Sequence, residues 1–297
     1  MHSTAHPQFV AADMTGGIGL KSGHYEDVLR LYAENTQPEG LWFEVHTENY
    51  FVSGGPRLDY LQAFRELAPI TFHGVGASLG GEALPNKEHL KQVRDLVKRF
   101  EPTLVSEHAV WSQAGNHYFA DLLPLPRTQQ YLTQLINGID AYQSGIGRTI
   151  LIENPTNYLE FKSDMDEPEF LVEAALKTGA EILLDVNNLY LTSQNCGIDA
   201  IDYINRIPKD LIGEIHIAGF SLDPSLGKQL LIDSHDEKVS NDVWNLLEAT
   251  LNRFGQTPVL LERDGNIPPL IELLQERNRA HQLLQATQPE QLNRRIA

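Results

Sequence analysis

The chain has 297 residues and a formal net charge of −17 at pH 7, with 40 acidic and 23 basic side chains. This charge excludes a basic nucleic-acid-binding surface and disfavours binding to anionic lipid. The single cysteine, Cys196, excludes an internal disulfide framework and is typical of a reducing compartment. No stretch approaches a membrane span, and the first residues lack the pattern of a signal peptide. We therefore expect a cytoplasmic protein with no nucleic-acid and no membrane partner.

Strand and helix patterns alternate after residues 1–15, which we expect to form a flexible N-terminal arm. The predicted strands are Gly16–Leu20, Leu41–His46, Ile70–Val75, Thr103–His108, Thr149–Glu153, a segment ending near Asp185, Ile212–Ile217 and Val259–Glu262. The predicted helices are Tyr25–Asn35, Leu58–Leu67, Leu90–Phe100, Thr128–Ser144, Glu167–Lys177, Asp199–Arg206, Ser240–Phe254 and Pro268–Leu284. This alternation predicts an α/β fold, a (β/α)₈ TIM barrel, in a single domain over residues 16–297.

Two passages between these elements show no regular pattern. The first runs from Trp111 to Pro126, and the second is a polar loop that contains Asp233 and His235. Loops of this length usually carry function. The glycines of His73–Gly81 do not have the spacing of a dinucleotide-binding loop, and turn geometry explains them better.

Most of the predicted strands end in a carboxylate or an imidazole. These residues are Glu44, His46, His73, Glu107, His108, Glu153, Asp185, His216 and Glu262. They converge, because the carboxyl ends of parallel barrel strands share one face. Strand alternation is expected to place Leu183, Asp185 and Asn187 on one side of their strand. A carboxylate at the end of an apolar strand needs a cation, which is either a basic side chain or a metal ion.

The converging groups are ligands that hard or borderline divalent metal ions use in proteins. The central set is Glu153, Asp185, His216 and Glu262, surrounded by His46, His73, His108, Asn188, Asp233 and His235. One ion cannot use so many ligands. Two or three adjacent ions, bridged by Glu153 or Asp185, would use them and keep the carboxylates ionised.

Each residue of this set also has a simpler explanation when it is considered alone. A single strand-end histidine is more often a hydrogen-bonded core or surface residue, and Asp233 with His235 would fit a solvated turn. The simple explanation is weaker for the whole set, because many acids would share one rim without a counter-charge. Successive side chains of a strand point to opposite faces, so Glu107 and His108 cannot both face the barrel axis. The sequence does not show which of the two does. Cys196 is interpreted as a small buried residue.

The motifs around these residues together resemble one known family. They are EVHTENY (Glu44–Tyr50), HGVGASLG (His73–Gly80), SEHAVW (Ser106–Trp111), IENPTNY (Ile152–Tyr158), LLDVNNLY (Leu183–Tyr190), EIHIAG (Glu214–Gly219), DSHD (Asp233–Asp236) and LLERDGNIP (Leu260–Pro268). Their order between Gly16 and Leu284 is similar to that of the multinuclear non-haem iron-dependent oxidative enzymes, the methanobactin-synthesis oxidase family.

The resemblance implies a xylose-isomerase-like barrel with two or three iron ions, with zinc or manganese as alternatives in the isolated protein. It implies oxidation with dioxygen of a Cys-containing precursor peptide made by the ribosome, and often a partner protein that recognises the leader peptide. The implied metal ligands are His46, His73, His108, Glu153, Asp185, Asn188, His216, Asp233, His235 and Glu262. The implied catalytic residues are Asp185, Glu153, His108 and Glu107. Cys196 is not counted as a ligand.

The leading hypothesis is therefore an iron-dependent oxidase that modifies cysteine residues of a precursor peptide. Alternatives on the same barrel are a divalent-metal sugar isomerase or epimerase and a zinc phosphodiesterase, which the acidic charge disfavours. A metal-storage protein without turnover is a third alternative. Bound iron, dioxygen consumption and a Cys-containing peptide separate the oxidase from the others. A homodimer is expected from base rates alone.

Overall fold

A closed barrel of eight parallel strands forms the centre of the computed structural model, which describes residues 7–115 and 117–287. The described strands are β1 (Gly16–Gly19), β2 (Trp42–His46), β3 (Ile70–Gly74), β4 (Val105–His108), β5 (Trp111–Ala114), β6 (His117–Leu123), β7 (Leu151–Glu153), β8 (Glu181–Asp185), β9 (Ile212–Ile217), β10 (Ser221–Asp223), β11 (Gly227–Ile232) and β12 (Val259–Leu261). The barrel order is β1-β12-β9-β8-β7-β4-β3-β2, closing on β1. The predicted barrel is confirmed.

Helices surround this barrel and cover its outer face. They are α1 (Tyr25–Ala33), α2 (Pro56–Leu67), α3 (Lys87–Phe100), α4 (Gln129–Ile146), α5 (Glu167–Thr178), α6 (Val186–Cys196), α7 (Ala200–Arg206), α8 (Asn241–Phe254) and α9 (Leu270–Ala286). Their apolar stripes and the outward faces of the strands form one continuous hydrophobic core. No helix within the described ranges has both the length and the apolar character needed to cross a membrane.

Capping residues explain where several of these helices begin and end. The Thr128 hydroxyl accepts a hydrogen bond from the backbone N–H of Tyr131, and Ser240 accepts one from Val243. Gly179 ends α5 with a φ of 70°, a left-handed conformation that glycine adopts without steric cost. The helix starts predicted at Thr128 and Ser240 therefore coincide with the N-caps of α4 and α8.

The segment after Asp185 differs from the sequence-based expectation. β8 ends at Asp185, and α6 begins at the next residue, so Asn187 lies on a helix and not on the strand. The expected alternation through Asn187 was wrong. Asp185 is also the N-cap, because its Oδ1 accepts the backbone N–H of Asn188 at 2.7 Å.

The two passages expected to be irregular contain hairpins. The antiparallel pair β5–β6 lies within Trp111–Pro126 and follows the barrel strand β4. The second antiparallel pair, β10–β11, leads into the polar loop of Asp233 and His235. Both hairpins extend loops at the carboxyl ends of barrel strands, which is where barrels of this kind build their sites.

The interior of the barrel changes from apolar to polar along its axis. Trp42 and Leu260 are fully buried and pack with Met14 near the amino ends of the strands. A Cβ on Gly17 would lie 2.3 Å from the Trp42 indole, so only glycine leaves room for that ring. Two residues beyond Trp42 on the same face of β2, the carboxylate of Glu44 begins the polar end.

Buried arginines close the amino end of the barrel. The Arg277 guanidinium, only 1% exposed, donates to the Gly16 carbonyl at 2.6 Å and to the Thr15 hydroxyl at 3.0 Å. Arg65 donates to the Phe100 carbonyl at 2.6 Å and to the Pro7 carbonyl at 2.9 Å. The predicted flexible arm lies outside the described residues for residues 1–6, and its remainder includes a short 3₁₀ turn at Ala11–Asp13.

Candidate metal centre

The predicted strand-end groups meet at the carboxyl end of the barrel. The register places His46 beside His73, His108 beside Glu153, and Asp185 beside His216. Because side chains alternate along a strand, Ser106 and His108 face the interior of β4, while Glu107 faces the other way. His108 is thus the β4 residue that belongs to the cluster. The sequence alone had left the choice between Glu107 and His108 open.

His73, His108 and Glu153 form the first group. Oε2 of Glu153 lies 3.2 Å from Nε2 of His73 and 3.1 Å from Nε2 of His108. On the far side of each ring, Nδ1 contacts a hydrogen-bond partner: the Ser106 hydroxyl at 2.7 Å and the Gly74 carbonyl at 3.1 Å, respectively. Both imidazoles therefore direct Nε2 toward one carboxylate oxygen.

Glu153 also belongs to a second group with Asp185 and His216, in which the potential ligand atoms all lie within 4.8 Å of one another. His216 in turn contacts Glu262, with Nδ1 and Oε2 separated by 3.5 Å. On its other side, Nε2 lies 3.3 Å from Glu214 and 3.5 Å from Glu44. Neighbouring groups of candidate ligands therefore have Glu153 or His216 in common.

Glu262 extends the cluster to the barrel rim. It forms a further group of candidate ligands with His46 and Asp264. Its Oε2 also lies 3.3 Å from Nδ1 of His235, and Nε2 of His235 lies 2.7 Å from Asp233. The structure thus brings Asp233 and His235 to the cluster, although they come from a loop and not from a strand end.

The close contacts between His108 and Glu153 are not an ion pair in the metal-free protein. Burial lowers the pKa of the His108 imidazole to about 4. Burial likewise raises the pKa of the Glu153 carboxyl well above its usual value, although His216 opposes this. Burial therefore favours the neutral form of both groups. Removing the proton from Glu153 requires a positive charge close to Oε2.

The acids around His216 show the same excess of negative charge. Burial raises the pKa of Asp185 to about 7, and Glu262 and Asp233 add to the effect. Burial and the neighbouring Glu44 raise the pKa of Glu214 to about 8. Burial alone would lower the pKa of His216, but Glu44 and Glu262 raise it well above its usual value. His235, whose pKa Asp233 and Glu262 likewise raise, adds a second imidazole, and two imidazoles do not neutralise this many carboxyls.

Several potential ligand atoms in this cluster are buried without a hydrogen-bond partner among the described residues. They are the carboxylate oxygens Oε2 of Glu153, Oδ2 of Asp185 and Oε2 of Glu214. Buried polar atoms are normally paired, so these atoms need a partner that the protein chain does not provide. Imidazole nitrogens and carboxylate oxygens together suit iron, manganese or zinc. The residues present therefore fit a metal centre.

Amide side chains support the ligands. Asn154 exchanges two hydrogen bonds with the backbone of Asp185, at 3.0 Å and 2.9 Å. The side-chain amide of Asn188 donates to Oε1 of Glu153 at 3.4 Å, and its side-chain oxygen accepts a hydrogen bond from the Thr156 hydroxyl. Asn188 thus contacts the cluster as a donor to Glu153. Its assignment as a metal ligand stays a prediction.

Glu107 and Cys196 lie apart from the cluster. Glu107 is fully buried behind β4, where it accepts hydrogen bonds from the backbone N–H groups of His108 and Ala77. It does not line the cavity above the candidate metal centre, and its predicted catalytic role stays a prediction. Cys196 is only partly buried, so its interpretation as a buried residue was wrong. Its thiol faces the Asn157 carbonyl at the end of α6.

The sequence-based ligand set did not include Glu44, Glu214 and Asp264. Glu44 and Glu214 are fully buried and lie two residues before His46 and His216, which puts each on the same face as the following histidine. That period-two spacing was the signal for both. Asp264 follows the end of β12 in a loop, and no periodic signal places its side chain.

The hydrogen bond between Ser106 and His73 gives the first prediction. The Ser106 hydroxyl holds the His73 ring so that Nε2 faces Glu153, and such supporting contacts typically change metal affinity about 10- to 100-fold. We expect Ser106→Ala to weaken metal binding by that factor without changing the fold. Competition with a chromophoric chelator measures the affinity.

Ser112 supplies the matched control for this prediction. It is as buried as Ser106, but its hydroxyl makes no hydrogen bond to any described residue. Ser112→Ala should leave the metal affinity unchanged. Equal affinities for the Ser106→Ala variant and the parent protein would show that the hydroxyl does not orient His73.

Comparison with known proteins identifies the family. A sequence profile described as "RiPP precursor modification enzyme MbnB/TglH/ChrH" matches residues 15–285. The chain belongs to the MbnB/TglH/ChrH family. Its relatives include the UPF0276 protein of Caulobacter vibrioides, 44% identical over 92% of this chain and 96% of that protein. A UPF0276 protein of Chromobacterium violaceum is 40% identical over 90% of this chain and 94% of that protein. The resemblance seen in the motifs is confirmed.

Solved structures confirm the xylose-isomerase-like barrel of this MbnB/TglH/ChrH family member. The Escherichia coli 3-keto-D-glucoside 4-epimerase YcjR has a TM-score of 0.56 at 15% identity, covering 91% of this chain and 98% of that chain. A xylose isomerase-like TIM barrel protein of Mycobacterium smegmatis in complex with magnesium has a TM-score of 0.57 at 12% identity, covering 94% and 99%. Endonuclease IV of Thermus thermophilus has a TM-score of 0.56 at 14% identity, covering 92% and 98%. These likenesses concern the fold.

Proposed function

We propose that this MbnB/TglH/ChrH family member is a multinuclear non-haem iron-dependent oxidase. It modifies a cysteine residue of a ribosomally synthesised precursor peptide and uses dioxygen as the oxidant. The observation that carries this proposal is the fusion of several ligand groups through shared carboxylates. Glu153 belongs to two groups and Glu262 to two others, and all of these residues face one end of the barrel.

Shared carboxylates favour more than one metal ion. A carboxylate has two oxygens and can contact two neighbouring ions, which is how multinuclear sites hold their metals close together. Glu153 would serve the group of His73 and His108 on one side and that of Asp185 and His216 on the other. Glu262 would serve His46 and Asp264, with Asp233 and His235 beside it. Two or three iron ions use this number of ligands.

A cavity of about 420 Å³ opens above these residues. Its floor includes His46, His73, His108, Glu153, Asn188, Asp233, His235, Glu262 and Asp264, and its walls include Tyr118, Asp121, Leu122 and Tyr158. Its volume lies within the range typical of ligand sites. Iron bound there would supply redox chemistry with dioxygen and a binding position for a thiolate.

The residues of the chain have separate tasks in this proposal. The hairpin β5–β6 covers one side of the cavity and positions the peptide over the cluster. Ser106 and the Gly74 carbonyl hold the two histidine rings in place. Glu153 and His108 line the cavity beside the reacting cysteine, and Asp185 lies buried next to Glu153. The electrons and protons that the cysteine loses pass to dioxygen. Asp185 would lose its proton when metal binds, because bound metal keeps its ligands deprotonated.

We also propose a partner protein that binds the leader segment of the precursor peptide. Within the described residues, the side chains around the cavity belong to strand ends, loops, one hairpin and the first turn of α6. They contact a short segment around the cysteine, so a separate leader-binding protein would supply the remaining affinity for a longer precursor. A homodimer would leave this division of tasks unchanged.

Metal analysis combined with Mössbauer spectroscopy tests the proposal on protein produced with iron supplementation. We expect two or three iron ions per chain with antiferromagnetic coupling. Dioxygen uptake and mass spectrometry then follow a Cys-containing peptide encoded beside the gene, co-expressed with the product of any adjacent gene. The same peptide with serine in place of cysteine is the control and should consume no dioxygen. Stoichiometric zinc or manganese without iron would favour hydrolase or isomerase chemistry instead.

A further inference from the structure

A second cavity, of about 400 Å³, adjoins the candidate metal centre on the side of β1. The two cavities share His46, Glu262 and Asp264. Away from this shared edge, the lining of the second cavity comes mainly from the end of β1 with the loop that follows it, and from the segment between β2 and α2, with Glu44 of β2, Arg57 of α2 and Ile267 in addition. A ligand held at the metal centre can therefore extend into this second space.

The absence of a side chain on β1 creates this space. Gly17 and Gly19 face the barrel interior, where neighbouring strands present Glu44, His46 and His73. The Trp42 indole fills the room left by Gly17, but Gly19 lines the second cavity. A Cβ at Gly19 would lie 3.5 Å from Nζ of Lys21, so the lysine ammonium occupies the side of the cavity facing β1.

Two cations, Lys21 and Arg57, line the second cavity together with the carboxylates Glu44, Glu262 and Asp264, whereas no lysine or arginine in the described ranges lines the first. Lys21 forms an ion pair with Asp264 at the shared edge. Arg57 lies in the first turn of α2 and donates to the Asn49 carbonyl. No carboxylate among the described residues forms an ion pair with Arg57, and its side chain is exposed to the cavity. Its guanidinium therefore has free donors in a protein of net charge −17.

Hydroxyl groups complete the lining beside Arg57. The Tyr25 and Tyr50 hydroxyls are hydrogen-bonded to each other at 2.8 Å, and both residues line the cavity. Burial raises the pKa of Tyr50, so its phenol stays protonated and remains a hydrogen-bond donor. A guanidinium with free N–H groups beside phenolic hydroxyls is suited to an anionic oxygen group, and guanidinium and carboxylate match in a two-bond arrangement.

We propose that the second cavity binds a carboxylate of the peptide substrate while the cysteine lies at the metal centre. The proposal builds on the proposed function, because it takes the substrate to be a Cys-containing peptide. Arg57 is the principal contact, and Lys21 lowers the repulsion from Asp264. The carboxylate is either the chain terminus next to the cysteine or an acidic side chain close to it, and the two sources share the same recognition chemistry.

Binding of short synthetic peptides distinguishes these two sources. Calorimetry without dioxygen would use the iron-loaded protein with acetyl-Ala-Cys as the free acid and as the C-terminal amide. A second pair is acetyl-Ala-Cys-Asp amide and its Asn counterpart. We expect the acid of one pair to bind about 10-fold tighter than its neutral partner, since a hydrogen bond to a charged group is worth about that factor. The pair with the preference identifies the source.

Substitution of Arg57 tests where the preference originates. Arg57→Gln should reduce the roughly 10-fold preference to about 1 while leaving the affinity for the neutral peptide unchanged. Arg30→Gln is the matched control, because Arg30 is an exposed arginine on α1 that lies near Asp27 and does not line the cavity. Equal binding of acid and neutral peptide in both pairs would overturn the proposal. A preference that survives in Arg57→Gln would overturn it as well.

The thiol is tested separately, so that a failure of the proposed function can be recognised. Serine versions of the same peptides lack the thiol but keep the carboxylate. If they bind as tightly as the cysteine peptides and still prefer the acid, the carboxylate site stands and the proposed cysteine chemistry falls. If the serine peptides bind more weakly by the same factor in acid and neutral form, both proposals are supported.

Discussion

Replacing Glu153 by glutamine is expected to abolish the metal cluster while leaving the barrel folded. Oε2 of Glu153 is the atom that His73 and His108 share, and the same carboxylate belongs to the group of Asp185 and His216. An amide has no negative charge to offer neighbouring ions. We expect the loss of at least one metal ion per chain and a fall of about 100-fold or more in peptide oxidation. Elemental analysis and dioxygen uptake measure the two effects.

Glu173→Gln is the matched control for Glu153→Gln. Glu173 lies on the outer helix α5, where it pairs with Lys177 away from the cavity. Its replacement should leave metal content and activity unchanged. In the metal-free state, Glu153→Gln should melt at least as high as the parent protein, because glutamine does not ionise in a buried site. A Glu153→Gln protein with full metal content would contradict the bridging role.

The second large effect is a pH-dependent loss of stability in the metal-free protein. Burial raises the pKa of Asp185 to about 7 and that of Glu214 to about 8, above the ordinary values of free carboxyls. His216, whose pKa is also raised, acts in the same direction. The folded chain then binds more protons than the unfolded chain, so this contribution to stability is fully present below about pH 4, is lost as pH rises through the folded pKa values of about 7 and about 8, and is exhausted by about pH 9.

Thermal unfolding measures this effect. Each proton taken up on folding lowers the free energy of unfolding by about 1.4 kcal/mol per pH unit, and each kcal/mol shifts the melting temperature by about 2 to 4 °C. The melting temperature of the metal-free protein should fall between pH 7 and pH 9. Glu262 and His108 do not oppose the trend, because their pKa values are lowered to about 2 and about 4. The metal-loaded protein should not follow it, since bound metal keeps its ligands deprotonated.

Asp185→Asn separates the metal site from the fold. Asparagine keeps the N-cap of α6 but cannot ionise, so the metal-free variant should melt higher than the parent protein at pH 9. It should also bind metal more weakly. Asp199→Asn is the control, because Asp199 caps α7 in the same way but is exposed. A metal-free parent protein whose melting temperature stays constant or rises from pH 7 to pH 9 would refute the burial argument.

Much of the fold and part of the site follow from local sequence patterns. Apolar runs, most of which end in an acid or imidazole, predicted the barrel strands, and Thr128 and Ser240 were predicted as the starts of two helices. The clustering of Glu153, Asp185, His216 and Glu262 followed from a single geometric fact, since parallel strands bring their carboxyl ends to one face. Because the barrel is closed, the ends of its strands lie next to one another.

The remaining features depend on contacts that a sequence does not display. Asp185 ends a strand and caps a helix at once, so the alternation through Asn187 could not be continued. The choice between Glu107 and His108 depended on the register of β4 with β3 and β7. Arg57 and Lys21 are far from Glu262 in the chain, and only the folded barrel shows that they line the same cavity. Such long-range juxtapositions follow from the closed barrel.

The arginine contacts at the amino end of the barrel have a practical consequence. Pro7, held by Arg65, and Thr287, which follows α9, both lie at the rim opposite to the candidate metal centre. Gln256 donates to the Leu284 carbonyl just before β12 begins, which anchors the end of α9 to the same rim. A surface linker or a fused reporter joined at Pro7 or Thr287 would therefore leave both cavities accessible. Immobilised protein could be titrated with peptides in flow.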